Sequence, residues 1–137
     1  MGAWDIGPFG NDNAADFAGE LDDTAPEQRE DLVRAVFGTA VDEDGEFDEL
    51  DAEDGDRIIA AAALVAAQCP GGTPIDTAYG PEQPLPLFGP ETRRLAVTAL
   101  TGVLSEDSEL AELWDESDEG PAWRAEVKRL RAVLSAA

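Results

Sequence analysis

The chain has 137 residues, of which 31 are Asp or Glu and 9 are Lys or Arg, so its formal charge at pH 7 is −22. A hydrophobic share of 43% is enough to build the core of one domain of this length. The charge argues against nucleic acid and anionic membranes as partners, because both are bound through clustered cations.

The sequence lacks the residues of several common active sites. It contains no His, and Cys69 is its one thiol. It therefore cannot form a Ser-His-Asp triad, a Cys-His pair or a Cys/His zinc site. No phosphate-binding glycine loop is present, and no pair of carboxylates stands out for acid–base chemistry. We expect the protein not to be an enzyme and to need no cofactor.

The sequence also carries no sign of export. No basic and apolar leader is visible at the N-terminus, and a single Cys forbids an internal disulfide. The longest apolar run, residues 58–67, is about half the length that a membrane span needs. These features predict a soluble, cytoplasmic protein.

The first half of the chain predicts an irregular arm, two helices and an acidic loop. Residues 1–12 are rich in Gly, Pro and aromatic residues. Asn13 or Asp12 can then cap a helix that runs to about residue 21. Thr24 and Glu27 have the spacing of a capping box before a second helix. The inward side chains of that helix are expected to be Leu32, Val33, Val36, Phe37 and Ala40.

The acidic loop is predicted over residues 42–56, where ten of fifteen residues are carboxylates. The next segment, 57–68, is almost wholly apolar, and a helix that is apolar on every side is typically the central one of a bundle. Residues 70–90 are rich in Pro and Gly and predict a long loop. We expect this loop to be held against the helices by Tyr79, Leu85, Leu87 and Phe88.

Three more helices are predicted in the last third. One begins at Pro90, with an inward set of Leu95, Val97, Leu100, Val103 and Leu104. A short helix carries Leu110, Leu113 and Trp114 on one face. The last helix has an apolar stripe of Trp123, Val127, Leu130 and Leu134. The sequence therefore predicts a single all-α domain, residues 1–137, of five to six helices.

The N-terminal arm has two interpretations. In the structural one, its aromatic side chains form a plug, with Asn11 and Asp12 capping the first helix. The residues of that plug would be Trp4, Phe9 and Phe17. In the functional one, Asn11, Asp12 and Asp16 line a small-ligand pocket beside Trp4. The sequence does not choose between them.

The acidic loop also admits a calcium site. With Gly45 at position six of an EF-hand loop, Asp42 and Asp44 fall at positions three and five, Asp48 at nine and Asp51 at twelve. Position one would be an alanine, which cannot ligate, so a solvated acidic loop is the favoured reading. Divalent-cation or small-ligand binding is nevertheless the alternative function that we carry forward.

Binding to a basic protein is the function that the composition favours. Concentrated carboxylates steer a cationic partner and discriminate by charge. One form would be an immunity or inhibitor protein that covers the basic cleft of a nuclease. The candidate partner-binding residues are Asp42, Asp44, Glu46, Asp48, Asp51, Trp4, Asn11, Asp12 and Asp16. The cations of the last helix, Arg124, Lys128, Arg129 and Arg131, follow an acidic run and are expected to be neutralised within the chain.

The opening residues carry a family resemblance. Trp4, Gly7, Phe9, Asn11, Asp12, Ala14, Asp16 and Phe17 fit the pattern Trp-Gly-x-Gly-x-Phe-x-Asn-Asp-x-Ala-x-Asp-Phe, with Asp5 in place of its first glycine. This pattern resembles the start of the bacterial family known as domain of unknown function 4259. The C-terminal part, with Trp114 and Trp123, is also similar to that family. The resemblance spans nearly the full chain, implies a small intracellular bacterial protein and supplies no mechanism.

Overall fold

The computed structural model describes residues 7–41, 49–75, 80–83 and 85–136. Within these ranges the chain forms six α-helices, a short 3₁₀ helix and no strand, which confirms the all-α prediction. Their buried side chains form one core. The helices are α1 (Asp12–Asp22), α2 (Arg29–Gly38), α3 (Ala52–Ala66), α4 (Pro90–Val103), α5 (Glu109–Asp115) and α6 (Gly120–Ala136), and the 3₁₀ helix Pro26–Gln28 precedes α2.

Helix α3 is the centre of the fold. It contacts each of the other five α-helices of the described ranges, and every residue from 58 to 66 is buried. Most of these residues are alanines, whose small side chains let neighbouring helices approach closely. The prediction of a central apolar helix is confirmed. None of the helices in the described part of the chain is long and apolar enough to span a bilayer.

The predicted acidic loop is too long at its C-terminal end. Helix α3 begins at Ala52, so residues 52–56 are helical, and the loop prediction is wrong for them. The cause is Asp51, whose Oδ1 accepts a hydrogen bond of 2.8 Å from the backbone N–H of Asp54 and caps the helix. Carboxylates in a first turn, here Glu53 and Asp54, are favoured by the helix dipole. Residues 42–48 lie outside the described ranges.

The starts of α1 and α2 agree only in part with the capping predictions. Asn11 is the N-cap of α1, because its Oδ1 accepts a 2.8 Å hydrogen bond from the N–H of Ala14. Asp12 and Asn13 are already helical. The capping box of Thr24 and Glu27 is wrong, since the Thr24 hydroxyl donates instead to the Glu20 carbonyl at 2.7 Å.

Three side chains hold the proline-rich loop, which has no helix or strand among its described residues between 67 and 89. Asp22 accepts hydrogen bonds from the N–H groups of residues 82 and 83. Gln68 binds the loop backbone on both sides of Leu87. Glu30 accepts from the N–H of Gly89 at 3.1 Å and from the Thr92 hydroxyl at 2.8 Å, at the start of α4.

The apolar anchors of this loop are only partly as predicted. Phe88 is buried and Leu85 is partly buried, but Leu87 is 83% exposed, so its predicted anchoring role is wrong. Consecutive residues of an extended segment point to opposite sides, so burial of Phe88 turns Leu87 outward. Tyr79 lies outside the described residues.

The last two helices pack as the sequence predicts. The four residues of the α6 stripe are all buried, and the rings of Trp114 and Trp123 stack with centroids 5.9 Å apart. On α5, Leu110 and Trp114 are buried, whereas Leu113 is only partly buried. On α4, Leu100 and Val103 are buried while the other three predicted inward residues are partly buried.

Candidate functional site

The N-terminal ends of three helices lie close together. Asn13, in the first turn of α1, donates a hydrogen bond from Nδ2 to Oδ2 of Asp56 in α3 at 3.0 Å. Leu50, just before α3, forms a parallel bridge with Ser108, the N-cap of α5. Its backbone exchanges 2.9 Å hydrogen bonds with the carbonyl of residue 107 and the N–H of residue 109. The bridge therefore places the starts of α3 and α5 side by side.

An acidic cleft of about 600 Å³ opens between these two helix starts. Seven residues line it, and six of them carry carboxylates. They are Glu49, Asp51, Glu106, Asp107, Glu109 and Glu112, and the seventh is Leu50. Helix N-termini carry a partial positive charge, which lets so many anions gather in one place. The cleft is a strongly negative, open concavity.

Part of this charge has a structural role. Asp51 caps α3, and Glu109 Oε1 accepts a 2.9 Å hydrogen bond from the N–H of Ala52, which joins α5 to the start of α3. Of the other four, Glu106, Asp107 and Glu112 are exposed. Within the described ranges their side chains have no hydrogen bond and no ion pair. These three carboxylates are therefore available to an external cation.

Two carboxyl groups of α3 have raised pKa values. Burial raises the pKa of Asp56, and the hydrogen bond from Asn13 opposes that change. Burial also raises the pKa of Asp54, with a smaller contribution from the negative charge of Asp51. Neither group lines the acidic cleft.

The residues of the N-terminal motif have different roles in the structure. Asn11 is 7% exposed and serves as the α1 cap, while Phe9 and Phe17 are buried in the core. Asp12 and Asp16 are exposed and lie one turn apart on α1. The structure thus supports the capping role of Asn11 and leaves Asp12 and Asp16 on the surface. Trp4 lies outside the described residues.

Among the described residues, one of the candidates predicted in the acidic loop lines the cleft. Asp51 lines the acidic cleft, whereas Asp42, Asp44, Glu46 and Asp48 lie outside the described residues. In the described ranges no group of three or more Asp, Glu or Cys is arranged to hold a metal ion. The calcium hypothesis depends on residues 42–48 and stays a prediction.

Two of the four C-terminal cations are neutralised by ion pairs within the chain, as predicted. Arg124 makes a two-pronged ion pair with Asp115, at 2.8 and 2.7 Å, and Arg129 makes one with Glu126, at 3.0 and 2.6 Å. The Arg124 guanidinium holds the pKa of Asp115 below its ordinary value. Lys128 and Arg131 have no ion pair with the carboxylates that the structure describes.

Sequence reasoning missed the α5 side of the cleft. The sequence does contain a local signal for it: an acidic run around a Ser that can cap a helix. The run consists of Glu106, Asp107, Glu109 and Glu112. The missing information was the pairing of residue 50 with residue 108, which joins this run to the acidic segment before α3.

Comparison with known proteins assigns the chain to a family. No curated protein and no solved structure gives a significant match. The model of the family described as domain of unknown function (DUF4259) matches residues 2–126, which is most of the chain. The motif that carries the resemblance is the one that caps α1 through Asn11 and fills the core with Phe9 and Phe17. The chain therefore belongs to the DUF4259 family.

Proposed function

We propose that this protein is a non-enzymatic interaction module that binds a basic protein partner through the acidic cleft. The observation that carries the proposal is the lining of the cleft, six carboxylates out of seven residues. Three of these carboxylates are exposed without a partner in the described ranges. Lys and Arg side chains of a second protein are the groups that such a cleft attracts most strongly.

The shape of the acidic cleft favours the cationic side chains of a protein over small free cations. Long Lys and Arg side chains can cross an open cleft of about 600 Å³ and pair with carboxylates on both helices. The apolar side chain of Leu50 offers a contact for their methylene stems. A net charge of −22 adds long-range attraction, which raises the association rate with a basic protein.

One specific form of the proposal is an inhibitor or immunity protein. Its carboxylates would occupy the basic groove of a nucleic-acid-binding enzyme in place of phosphates. The absence of His and the single Cys support a non-catalytic role, since they remove the commonest acid–base and nucleophilic side chains.

The test neutralises the unpaired part of the cleft. A triple variant carries Glu106→Gln, Asp107→Asn and Glu112→Gln, which remove charge and keep side-chain size. A matched control carries Glu20→Gln, Asp23→Asn and Glu27→Gln, exposed residues that do not line the cleft. Wild type and both variants are immobilised and exposed to extract of the source cells, and captured proteins are identified and purified.

The expected result is capture of a Lys- and Arg-rich protein by wild type and control, with loss by the cleft variant. Calorimetry with the purified partner should then give a dissociation constant that weakens as salt increases. Equal capture by both variants would refute the cleft as the binding surface. Binding that does not respond to salt would refute the charge-based mechanism.

A further inference from the structure

Helices α4 and α6 carry several cations that are not paired with carboxylates in the described part of the chain. Within the described ranges, Arg93, Arg94, Lys128 and Arg131 have no ion pair with a carboxylate. All four belong to these two helices, which pack against each other. The chain has 31 acidic residues and 9 basic ones, so the lack of ion pairs at these cations is not a consequence of scarce carboxylates.

A groove of about 410 Å³ lies between α4 and α6. It is lined by the apolar side chains of Pro90, Val97 and Leu134 and by Arg93 and Arg94, with Thr98 and Ser135 completing it. Arg131 lies one turn before Ser135 and is 3.5 Å from the Thr101 hydroxyl, so it extends the positive charge along the helix pair. We call this site the basic groove.

Leu87 is an exposed apolar residue just before α4, the helix that forms one side of the basic groove. It is the one large hydrophobic side chain found exposed in the described ranges, and it lies three residues before Pro90. Gln68 fixes its backbone neighbours through a 2.8 Å bond to the Pro86 carbonyl and a 2.9 Å bond from the Phe88 N–H. Arg93 donates to the Phe88 carbonyl at 3.2 Å. Because the backbone is already held, burying Leu87 against a partner costs little further ordering.

We propose that the basic groove and Leu87 bind a short acidic segment of a partner protein. An apolar side chain of that segment packs against Val97 and Leu134, and the carboxylates beside it pair with Arg93 and Arg94. The basic charge is local while the whole chain carries −22, so a short segment with few charges meets less repulsion than a nucleic acid or a membrane. The acidic cleft plays no part in this proposal, which stands or falls independently of it.

The test uses fluorescence anisotropy with a defined probe. The probe is a fluorescein-labelled synthetic peptide with one Leu flanked on both sides by Glu residues. A second peptide has Ala in place of the Leu, and a third has Gln in place of each Glu. Wild type is compared with Arg94→Glu and with Leu87→Ser, both at exposed positions.

The control variant is Arg129→Glu, which makes the same change of charge on α6. Position 129 lies about 200° around the helix from Arg131, away from the α4 side. Circular dichroism confirms that every variant keeps its helix content.

The expected result is saturable binding of the Leu peptide, about tenfold weaker with Arg94→Glu and weaker with Leu87→Ser, with little change for Arg129→Glu. The Ala and Gln peptides should both bind more weakly than the Leu peptide.

No binding of the Leu peptide at low salt, or equal binding by Arg94→Glu, overturns the proposal. Tighter binding of a single-stranded oligonucleotide overturns it in favour of nucleic acid. Self-association in sedimentation that Arg94→Glu abolishes overturns it in favour of a second copy.

Discussion

The side-chain amide of Asn13 lies 3.0 Å from a carboxylate oxygen of Asp56 and ties the first turn of α1 to α3. Asp56 is nearly fully buried, and burial raises its pKa above that of a free aspartate. The folded state therefore holds a proton on this group more strongly than the unfolded state does. The stabilisation that this proton provides is complete at acid pH and is lost as pH rises through the folded pKa.

We predict that Asp56→Asn stabilises the protein at neutral pH. An Asn at this position still offers an oxygen to the Asn13 amide, and it removes the charge whose burial is unfavourable. The thermal midpoint of the variant should exceed that of wild type near pH 7. The difference should shrink as pH falls, because wild-type Asp56 then binds its own proton.

Thermal unfolding across a pH series tests this prediction. Asp16→Asn, on the exposed face of α1, is the control for removal of one negative charge from the chain. A difference between Asp56→Asn and wild type that stays constant with pH would contradict the role of the buried carboxyl group.

A second prediction concerns the cap of α1. Asn11→Ala should lower the free energy of unfolding by about 1 kcal/mol, because the N–H of Ala14 loses its acceptor. Asn11→Ser should restore most of the loss, since its hydroxyl can accept the same hydrogen bond. Urea denaturation measures both variants. Equal losses of unfolding free energy in Asn11→Ala and Asn11→Ser would show that Asn11 acts through packing and not as a cap.

The helices could be predicted because their apolar residues repeat at helical spacing. The stripe from Trp123 to Leu134 and the continuous run of residues 58–66 both became buried faces. Two of the errors lie at polar side chains whose hydrogen-bond partner differs from the expected one. Thr24 bonds back to the end of α1 and not forward to the next helix, and Asp51 turns the end of an acidic run into the start of α3.

The candidate site was harder to predict because it depends on contacts between distant segments. Asp51 and Glu109 are far apart in sequence, and they meet at one cleft through the bridge between Leu50 and Ser108 and the hydrogen bond from Ala52 to Glu109. The exposure of Leu87 likewise depends on how Gln68 holds the neighbouring backbone. No local pattern of charge or hydrophobicity specifies such pairings.

Two glycine variants should change stability in opposite directions. At Gly120 an added Cβ would clash with the backbone carbonyl oxygen of Trp114, so the turn between α5 and α6 would have to shift. We expect Gly120→Ala to destabilise the protein by about 1–3 kcal/mol. At Gly19, inside α1, a Cβ meets nothing within 4 Å, so Gly19→Ala should stabilise it by up to about 1 kcal/mol.

Urea denaturation of both glycine variants gives the two free-energy differences. A stabilising Gly120→Ala would show that the turn between α5 and α6 can relax without cost. A destabilising Gly19→Ala would show that another part of the chain or a second molecule packs against this face of α1.

A last prediction follows from the excess of carboxylates. The exposed ion pairs, such as Arg124 with Asp115, contribute little, whereas repulsion among the unpaired acids opposes folding. Added NaCl shortens the screening length from about 10 Å at 0.1 M to about 3 Å at 1 M, so the thermal midpoint should rise over that range.

The triple variant of Glu106, Asp107 and Glu112 should respond to salt less steeply than the Glu20, Asp23 and Glu27 control, because the cleft concentrates the charge. A midpoint that falls with salt would mean that attraction between opposite charges outweighs repulsion. Equal slopes in the two triple variants would mean that the cleft carries no special share of the repulsion.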